Sequence, residues 1–336
     1  MAEIVKLGFA PLVDCAIPVV AAEKGFAAAQ GIDLVVERAP SWAALRDKLA
    51  FGLVDGAHIL APLALALHHG IAGVPATPVL VPVSLGLGNN AITVSLDLYE
   101  RMVAVAPDVM AGPAALRARA LRPIIDADRA AGKPLLSFVT VFHFSCHHYE
   151  LLKWLADGGI DGGREVNIGV ITPPRMVESL TAGWIDGFCT GEPWNQRAVQ
   201  RGVGKVVVTK ADIRPDGLEK VLGLRTDWAE EHPARVAALV RAIVNAAEWS
   251  RDPGNRAELA RLLAEAQYVG LSADLIELTL RGAIPAPNRN RPDVADAYRL
   301  LLEMTAAGQI DLSADDRTAL AEAVWRPDLY DEAMGI

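Results

Sequence analysis

The chain has 336 residues, of which 52% are hydrophobic and 22% are charged. This length suits two domains rather than one, and it can bury a large core, which excludes an intrinsically disordered chain. The net charge of −9 argues against nucleic acid as a direct partner, because phosphate contacts need clustered Lys and Arg.

The start of the chain and its cysteines bear on the cellular compartment. Polar and charged residues interrupt the opening MAEIVKLGFAPLVDC, whereas a secretory signal needs an unbroken apolar region. Cys15, Cys146 and Cys189 form no CxxC pair, and their odd number suits a reducing compartment. Every apolar stretch is too short or too broken to span a bilayer. We therefore expect a cytoplasmic protein with no membrane association.

The first 60 residues predict alternating strands and helices. The expected elements are a strand over Ile4–Gly8, a helix over Ile17–Gln30 that stops at Gly31, a strand over Leu34–Glu37, a helix capped by Ser41, and a strand over Asp55–Leu60. Such alternation indicates parallel sheets with helices on both faces.

The remaining elements are less regular. Residues 71–84 are dense in Pro and Val, which predicts an edge strand or a crossover between lobes. Leu116–Arg129 is predicted as a basic amphipathic helix, and two strand–helix units follow around Leu135–Phe142 and Asn167–Val170. From Ala234 the chain is predicted to be mostly helical, with an exposed loop at Pro285–Pro292.

Familiar catalytic and nucleotide-binding motifs do not occur in the sequence. There is no G-x-x-x-x-G-K-[ST], no G-x-S-x-G and no H-E-x-x-H. The sequence therefore indicates no cofactor and no enzyme of these classes.

Three histidines lie close together at His143, His147 and His148. A metal site is one interpretation, but ligands this close in sequence cannot all face one ion. A helix that begins near Cys146 would instead place His147 in its first turn, where free N–H groups and the positive end of the dipole attract anions. A purely structural histidine cluster remains an alternative.

Other residues are candidates for binding an anion. Trp42 is either core or the aromatic wall of a cleft, with its indole N–H as a donor. Lys220 is either solvated or the point charge of an anion site, and Asn90 is either a turn former or an amide donor. Glu192, Pro193 and Trp194 form an unusual corner after a strand, which is either structural or part of a cleft wall.

Six stretches together resemble the nitrate- and bicarbonate-binding proteins of ABC importers. They are Leu7-Gly8-Phe9 with Asp14-Cys15, Pro40-Ser41-Trp42, Asp55-Gly56-Ala57-His58, Trp154-Leu155-Ala156 with Gly158-Gly159-Ile160-Asp161, Pro173-Pro174 with Met176-Val177, and Phe188-Cys189 with Gly191-Glu192-Pro193-Trp194-Asn195. Within that group the chain looks most like the cytoplasmic nitrate/nitrite sensors of the NasS–NasT antitermination system. The resemblance covers roughly residues 4–330.

The resemblance implies an α/β periplasmic-binding-protein-like fold of type II, with two lobes and a ligand cleft between them. We expect residues 1–84 and 195–336 in lobe 1 and residues 85–194 in lobe 2, to within about eight residues. The family's nitrate contacts fall on Trp42, His147, Lys220 and Asn90 of this chain, and Asn90 stands where the family has a glutamine. His58, Glu192, Pro193 and Trp194 are candidates for supporting positions around the ligand.

The function implied by the resemblance is that of a sensor for nitrate or nitrite. Ligand binding would regulate a NasT-like, RNA-binding antiterminator protein by sequestration and release, with no metal or cofactor. Two alternatives remain: an exported nitrate or bicarbonate receptor of an importer whose signal was removed, and an enzyme with a His147–Cys146 pair. A metal held alongside the anion by His58, Glu192 and the histidine cluster is a further variant.

Overall fold

The computed structural model describes residues 3–280 and 289–336, so residues 285–288 of the expected exposed loop lie outside the described residues. The chain divides into two compact units. The first comprises Met1–Gly88, Phe144–Cys146 and Gly217–Ile336, and the second comprises Asn89–His143 and His147–Asp216.

The strands of the described residues are β1 (Glu3–Phe9), β2 (Ile32–Arg38), β3 (Gly56–Leu60), β4 (Val79–Gly86), β5 (Ala91–Ser95), β6 (Ser137–Thr140), β7 (Asn167–Val170), β8 (Gly187–Thr190), β9 (Gly204–Thr209) and β10 (Lys220–Arg225).

The α-helices of the described residues are α1 (Ala16–Glu23), α2 (Trp42–Ala50), α3 (Ala61–His69), α4 (Leu96–Val105), α5 (Pro107–Ala111), α6 (Leu121–Ala130), α7 (Cys146–Asp157), α8 (Pro173–Thr181), α9 (Trp194–Gln200), α10 (Lys210–Ile213), α11 (Thr226–Glu231), α12 (Pro233–Arg251), α13 (Arg256–Leu263), α14 (Ala273–Thr279), α15 (Val294–Ala306), α16 (Ala314–Val324) and α17 (Pro327–Met334). Short 3-10 helices cover Val13–Cys15, Ala28–Gln30, Ala114–Ala120 and Pro253–Asn255.

The first unit is built on a sheet of order β2-β1-β3-β10-β4. β1 pairs in parallel with β2 and β3, whereas β10 pairs antiparallel with β3 and β4. Helices α1 and α12 pack together within the core of this unit, which contains Leu7, Val20, Leu239 and Ile243. Because β10 lies between two strands, its side chains are almost wholly buried.

The second unit is built on a sheet of order β7-β6-β8-β5-β9. β6 pairs in parallel with β7 and β8, whereas β5 pairs antiparallel with β8 and β9. Its core contains Ile92, Phe138, Trp154 and Val207.

The parallel pairing expected from the first 60 residues is confirmed for β1 with β2 and β3. Both sheets are nevertheless mixed, because antiparallel strands complete them. In the first unit, β10 follows the second unit's residues in the sequence and pairs antiparallel with β3. In the second unit, β5 follows residues of the first unit and pairs antiparallel with β8. The lobe boundary also differs from the expected one, because residues 195–216 lie with the second unit. The reason is that β9 pairs with β5 over its whole length.

Several local predictions agree closely with the structure. Ser41 caps α2 by accepting a hydrogen bond from the backbone N–H of Ala44 at 3.0 Å. β7 has the predicted bounds, and β4 is an edge strand of its sheet as the prolines indicated.

Two helices differ from the prediction. The helix expected over Ile17–Gln30 ends at Glu23, since Gly25 adopts a left-handed conformation with φ of 76° and interrupts it. The helix expected over Leu116–Arg129 is a 3-10 segment, Ala114–Ala120, followed by α6.

Gly56 permits the close approach of three strands at the centre of the first sheet. A Cβ at this position would lie 2.5 Å from Cδ2 of Leu224, 2.8 Å from the carbonyl oxygen of Gly223 and 2.9 Å from Cδ2 of Leu7. We predict that Gly56→Ala lowers the free energy of unfolding by about 1–3 kcal/mol, because the strands must separate to admit the methyl group.

Gly169→Ala is the matched control for this substitution. Gly169 also lies in a strand, but its Cβ would meet only Cγ1 of Val139 at 3.6 Å, an ordinary contact. Urea unfolding of both variants measures the difference. Equal stability of the two variants would contradict the account of strand packing around Gly56.

Candidate functional site

Lys220 of the first unit is the first residue of β10, and its side chain is wholly buried. Its Nζ lies 2.9 Å from Oε1 of Glu219 and 3.0 Å from Oδ2 of Asp14. The interpretation of Lys220 as an ordinary solvated lysine is therefore wrong. A buried ammonium needs such partners, because its transfer out of water is otherwise very costly.

The charge state of Lys220 follows from these contacts. Burial alone lowers the pKa of the ammonium, but the carboxylates of Asp14 and Glu219 outweigh burial and hold that pKa above its ordinary value. Lys220 is thus positively charged at neutral pH. Lys220, Asp14 and Glu219 together form a buried charged cluster in the first unit.

Trp42 lies against the charged cluster. It is the first residue of α2 and is 1% exposed, and the centre of its ring is 5.5 Å from Nζ of Lys220, within the range of a cation–π interaction. Its buried Nε1 has no hydrogen-bond partner among the residues that the structure describes. A buried indole N–H usually has an acceptor, so this donor is available to a ligand.

His58 completes the cluster of the first unit. It lies in β3 opposite Leu222 of β10, with Nε2 3.5 Å from Oδ1 of Asp14 and its ring centre 6.4 Å from that of Trp42. Burial lowers the pKa of His58 to about 4, and the charge of Lys220 acts in the same direction, against Asp14. His58 is therefore neutral at pH 7 and leaves the charge of the cluster unchanged.

Asn90 of the second unit is buried immediately before β5. Its side-chain Nδ2 donates to Oε2 of Glu150 at 3.0 Å, and its backbone carbonyl accepts a hydrogen bond from the backbone N–H of Lys210 at 2.8 Å. Nζ of Lys210 lies 3.8 Å from the other oxygen of Glu150. At least one N–H of the predicted donor amide is thus already bonded to a carboxylate.

The histidine cluster separates into buried and exposed members. α7 begins at Cys146 as predicted, so His147 lies in the first turn and is wholly buried. His143 is exposed, and its ring contacts that of His148 edge to face at 5.7 Å between centres. Burial and the neighbouring His143 lower the pKa of His148 to about 4.

The Glu192-Pro193-Trp194 corner connects β8 to α9. Oε2 of Glu192 accepts a hydrogen bond from the backbone N–H of Gln196 at 3.0 Å, while burial raises the pKa of this carboxyl to about 7. The side chain of Asn195 accepts from Oγ1 of Thr93 and donates to the carbonyl of Thr190, each at 2.8 Å. These hydrogen bonds connect the corner to strands β5 and β8 of the sheet. They favour a structural role for the corner over a role as part of a cleft wall.

The structure brings the predicted residues together within each unit. Trp42, His58 and Lys220 form one cluster in the first unit. In the second, the backbone N–H of Glu192 donates to Oδ1 of Asn89, which precedes Asn90. The sequence analysis assigned no role to three carboxylates, which are those of Asp14, Glu219 and Glu150. It also assigned no role to the second buried lysine, Lys210.

Two further properties concern the described part of the chain. No group of three or more His, Cys, Asp or Glu side chains within residues 3–280 and 289–336 is placed to hold a metal ion. None of the helices in those residues is both long and apolar enough to cross a membrane.

The two α/β units define the class of protein, which is that of the periplasmic-binding-protein-like fold. The profile of the NMT1-like family matches residues 2–264. The chain belongs to this family.

Similar proteins are transport components and receptors for small anions. The nitrate import ATP-binding protein NrtC of Synechocystis is 34% identical over 97% of this chain and 49% of that protein. The nitrate/nitrite binding protein NrtA of Synechococcus elongatus is 32% identical over 98% of this chain and 77% of that protein. The chain thus spans about half the length of NrtC and about three quarters of NrtA.

A solved structure agrees with this relationship. The crystal structure of the periplasmic nitrate-binding protein NrtA from Synechocystis matches with a TM-score of 0.88 at 27% identity, covering 99% of this chain and 89% of that one. A desulfurization enzyme shares the fold at 17% identity and a TM-score of 0.62, so the fold alone does not separate receptors from enzymes. The relatives of higher identity include NrtA, which is named as a nitrate-binding protein rather than as an enzyme.

His58 predicts a specific dependence of stability on pH. The unfolded chain binds a proton on His58 below about pH 6.5, whereas the folded chain does so only below about pH 4. The unfolded state therefore binds more protons in this window, and stability falls as pH drops through it. At about pH 5 the loss from this one group should be about 2 kcal/mol.

The variant His58→Asn removes this contribution, so its stability relative to the parent should improve as pH falls from about 7.5 to about 5. Denaturant unfolding at both pH values measures the change, and His69→Asn, at an exposed histidine, is the control. If the difference in stability between His58→Asn and the parent is the same at both pH values, the folded protein does not keep His58 neutral.

Proposed function

We propose that the protein binds nitrate or nitrite through Trp42 and Lys220 of the first unit and Asn90 and His147 of the second. The observation that carries this proposal is the buried, charged Lys220 beside an indole N–H that has no acceptor among the described residues. The names of the nitrate- and nitrite-binding relatives support the choice of ligand.

The chemistry of these groups suits a flat anion with one diffuse charge. An ammonium has three N–H donors, and Asp14 and Glu219 accept two of those of Lys220, which leaves one for a ligand. The indole of Trp42 adds a neutral donor and an apolar wall. His147 lies where the first-turn N–H groups of α7 and the positive end of its dipole favour an anion.

We further propose that the protein is a cytoplasmic sensor that holds an RNA-binding, NasT-like antiterminator inactive and releases it when the anion binds. Support comes from the sequence stretches that resemble such sensors and from three buried cysteines without disulfides, as is usual in a reducing compartment. An exported receptor of an anion importer is the alternative, and the names of the relatives favour it.

The nitrate site can be tested by titration calorimetry of variants. Lys220→Ala alone would remove the counter-charge that Lys220 gives to two buried carboxylates, which destabilises by about 3–5 kcal/mol. We therefore combine Asp14→Asn, Glu219→Gln and Lys220→Met, which removes all three charges together. Relative to Asp14→Asn with Glu219→Gln, which keeps the lysine, loss of the charged donor should weaken nitrate binding about tenfold to hundredfold. His147→Ala should weaken it similarly relative to the parent.

Two controls accompany these variants. Asp14→Asn with Glu219→Gln keeps Lys220 and should still bind nitrate, and His143→Ala alters an exposed histidine near His147. The assigned site would be refuted if the triple variant bound nitrate as tightly as Asp14→Asn with Glu219→Gln, and His147→Ala bound it as tightly as the parent.

The sensor role can be tested in cells that express the native gene with a C-terminal tag. We expect the protein in the soluble cytoplasmic fraction, where it should co-purify with an RNA-binding protein without nitrate and separate from it when nitrate is added. Recovery from the periplasm, or the same co-purified proteins with and without nitrate, would favour the importer receptor.

A further inference from the structure

β2 is a long edge strand of the first sheet. Among the described residues it pairs only with β1, over seven residues and without a register shift. The other sheet edges are shorter or covered. β4 is wholly buried and bridges to Trp325, β7 has four residues, and the carbonyl of Val207 in β9 accepts a hydrogen bond from Arg117. An uncovered edge strand presents its N–H and C=O groups to another strand.

The direction of these backbone groups follows from the end of β2. The backbone N–H of Ala39 donates to the carbonyl of Phe9 in β1 at 2.7 Å. Because backbone groups alternate in direction along a strand, those of Leu34 and Val36 point away from β1. The outward hydrogen-bonding positions at the middle of β2 therefore lie at two apolar residues.

The side chains along the β2 edge leave room for a further strand. Leu34, Val35 and Val36 line an open cavity of about 480 Å³, whose other walls include Tyr268. Val35 points to the opposite face of the sheet from its two neighbours and is 38% exposed. A strand placed against β2 would find apolar side chains on both faces.

Two charges flank the exposed valine. Register places Lys6 of β1 beside Val35 and places Ile4 beside Asp33, so these four residues share one face of the sheet. Lys6 and Asp33 are both exposed, and neither forms an ion pair with another described residue. The β2 edge thus carries one unpaired charge of each sign.

We propose that β2 is a dimerisation surface on which a second copy of this chain binds. The two β2 strands run antiparallel, with Leu34 opposite Leu34 of the second copy and Ile32 opposite Val36. In this register the outward backbone groups of the two Leu34 residues bond to each other, and apolar side chains meet apolar side chains. None of the residues proposed to bind nitrate belongs to this surface.

Charge favours a second copy as the occupant and favours this register. Lys6, Val35 and Asp33 of the second copy form one row across three strands, in which the lysine reaches over the valine to the carboxylate. A twofold axis makes this contact twice, which is the self-complementarity that a twofold dimer requires. An axis at Val35 would instead set Asp33 opposite Glu37, and like charges directly opposite are unfavourable.

Sedimentation equilibrium of the full chain tests the dimer itself. The apparent mass should rise from 35.8 kDa toward twice that value. The loading concentration is varied from about 1 to about 200 μM, which covers the affinities expected of a small interface. An apparent mass that stays at 35.8 kDa over the whole range overturns the proposal.

Charge reversal tests the surface and the register. Lys6→Glu and Asp33→Lys each turn two attractive contacts of the dimer into repulsive ones, so each should raise the dimer Kd about tenfold. The double variant restores opposite charges across the axis, and its Kd should return to within about threefold of that of the parent.

The matched control is Lys205→Glu, which reverses an exposed lysine in β9 of the second unit and should leave the dimer Kd unchanged. Circular dichroism confirms that each variant is folded before sedimentation. A dimer that neither single variant weakens forms through another surface, and a double variant as weak as the single ones lacks the proposed contact between Lys6 and Asp33. Either result overturns the proposal.

Discussion

The burial of a charged lysine between two carboxylates is the constraint on which the first unit depends. Lys220 and Asp14 are far apart in the sequence, and only the folded sheet brings them to 3.0 Å. β10 must enter antiparallel between β3 and β4 for its first residue to lie beside the 3-10 helix that carries Asp14. Loss of the lysine would remove the counter-charge of the buried carboxylate of Asp14, at a cost of about 3–5 kcal/mol.

The second unit repeats this arrangement in a weaker form. Lys210 and Glu150 are both buried, and Glu150 also accepts a hydrogen bond from Asn90. Each unit thus pairs a buried lysine with a carboxylate next to a residue proposed to contact the anion. Such networks hold their members in fixed positions, which suits donors that must bind a small ligand without rearrangement.

Local signals in the sequence predicted much of this fold. A serine before an apolar helical pattern placed the start of α2 at Trp42, and the histidine cluster was correctly expected at the start of α7. The same reasoning could not place Asp14 beside Lys220, because a long-range ion pair leaves no periodic pattern. The sequence analysis also missed the antiparallel pairing of β10 and β5, because these strands pair with strands that are distant in the sequence.

The identity of the ligand contacts is the central claim, and a crystal structure of the protein grown with nitrate tests it most directly. The account predicts one ordered anion, with oxygens within hydrogen-bond distance of Nζ of Lys220 and Nε1 of Trp42, and with Asp14 and Glu219 still bonded to the lysine. An anion bound elsewhere, or Lys220 fully enclosed by its two carboxylates with no contact to the anion, would contradict the account.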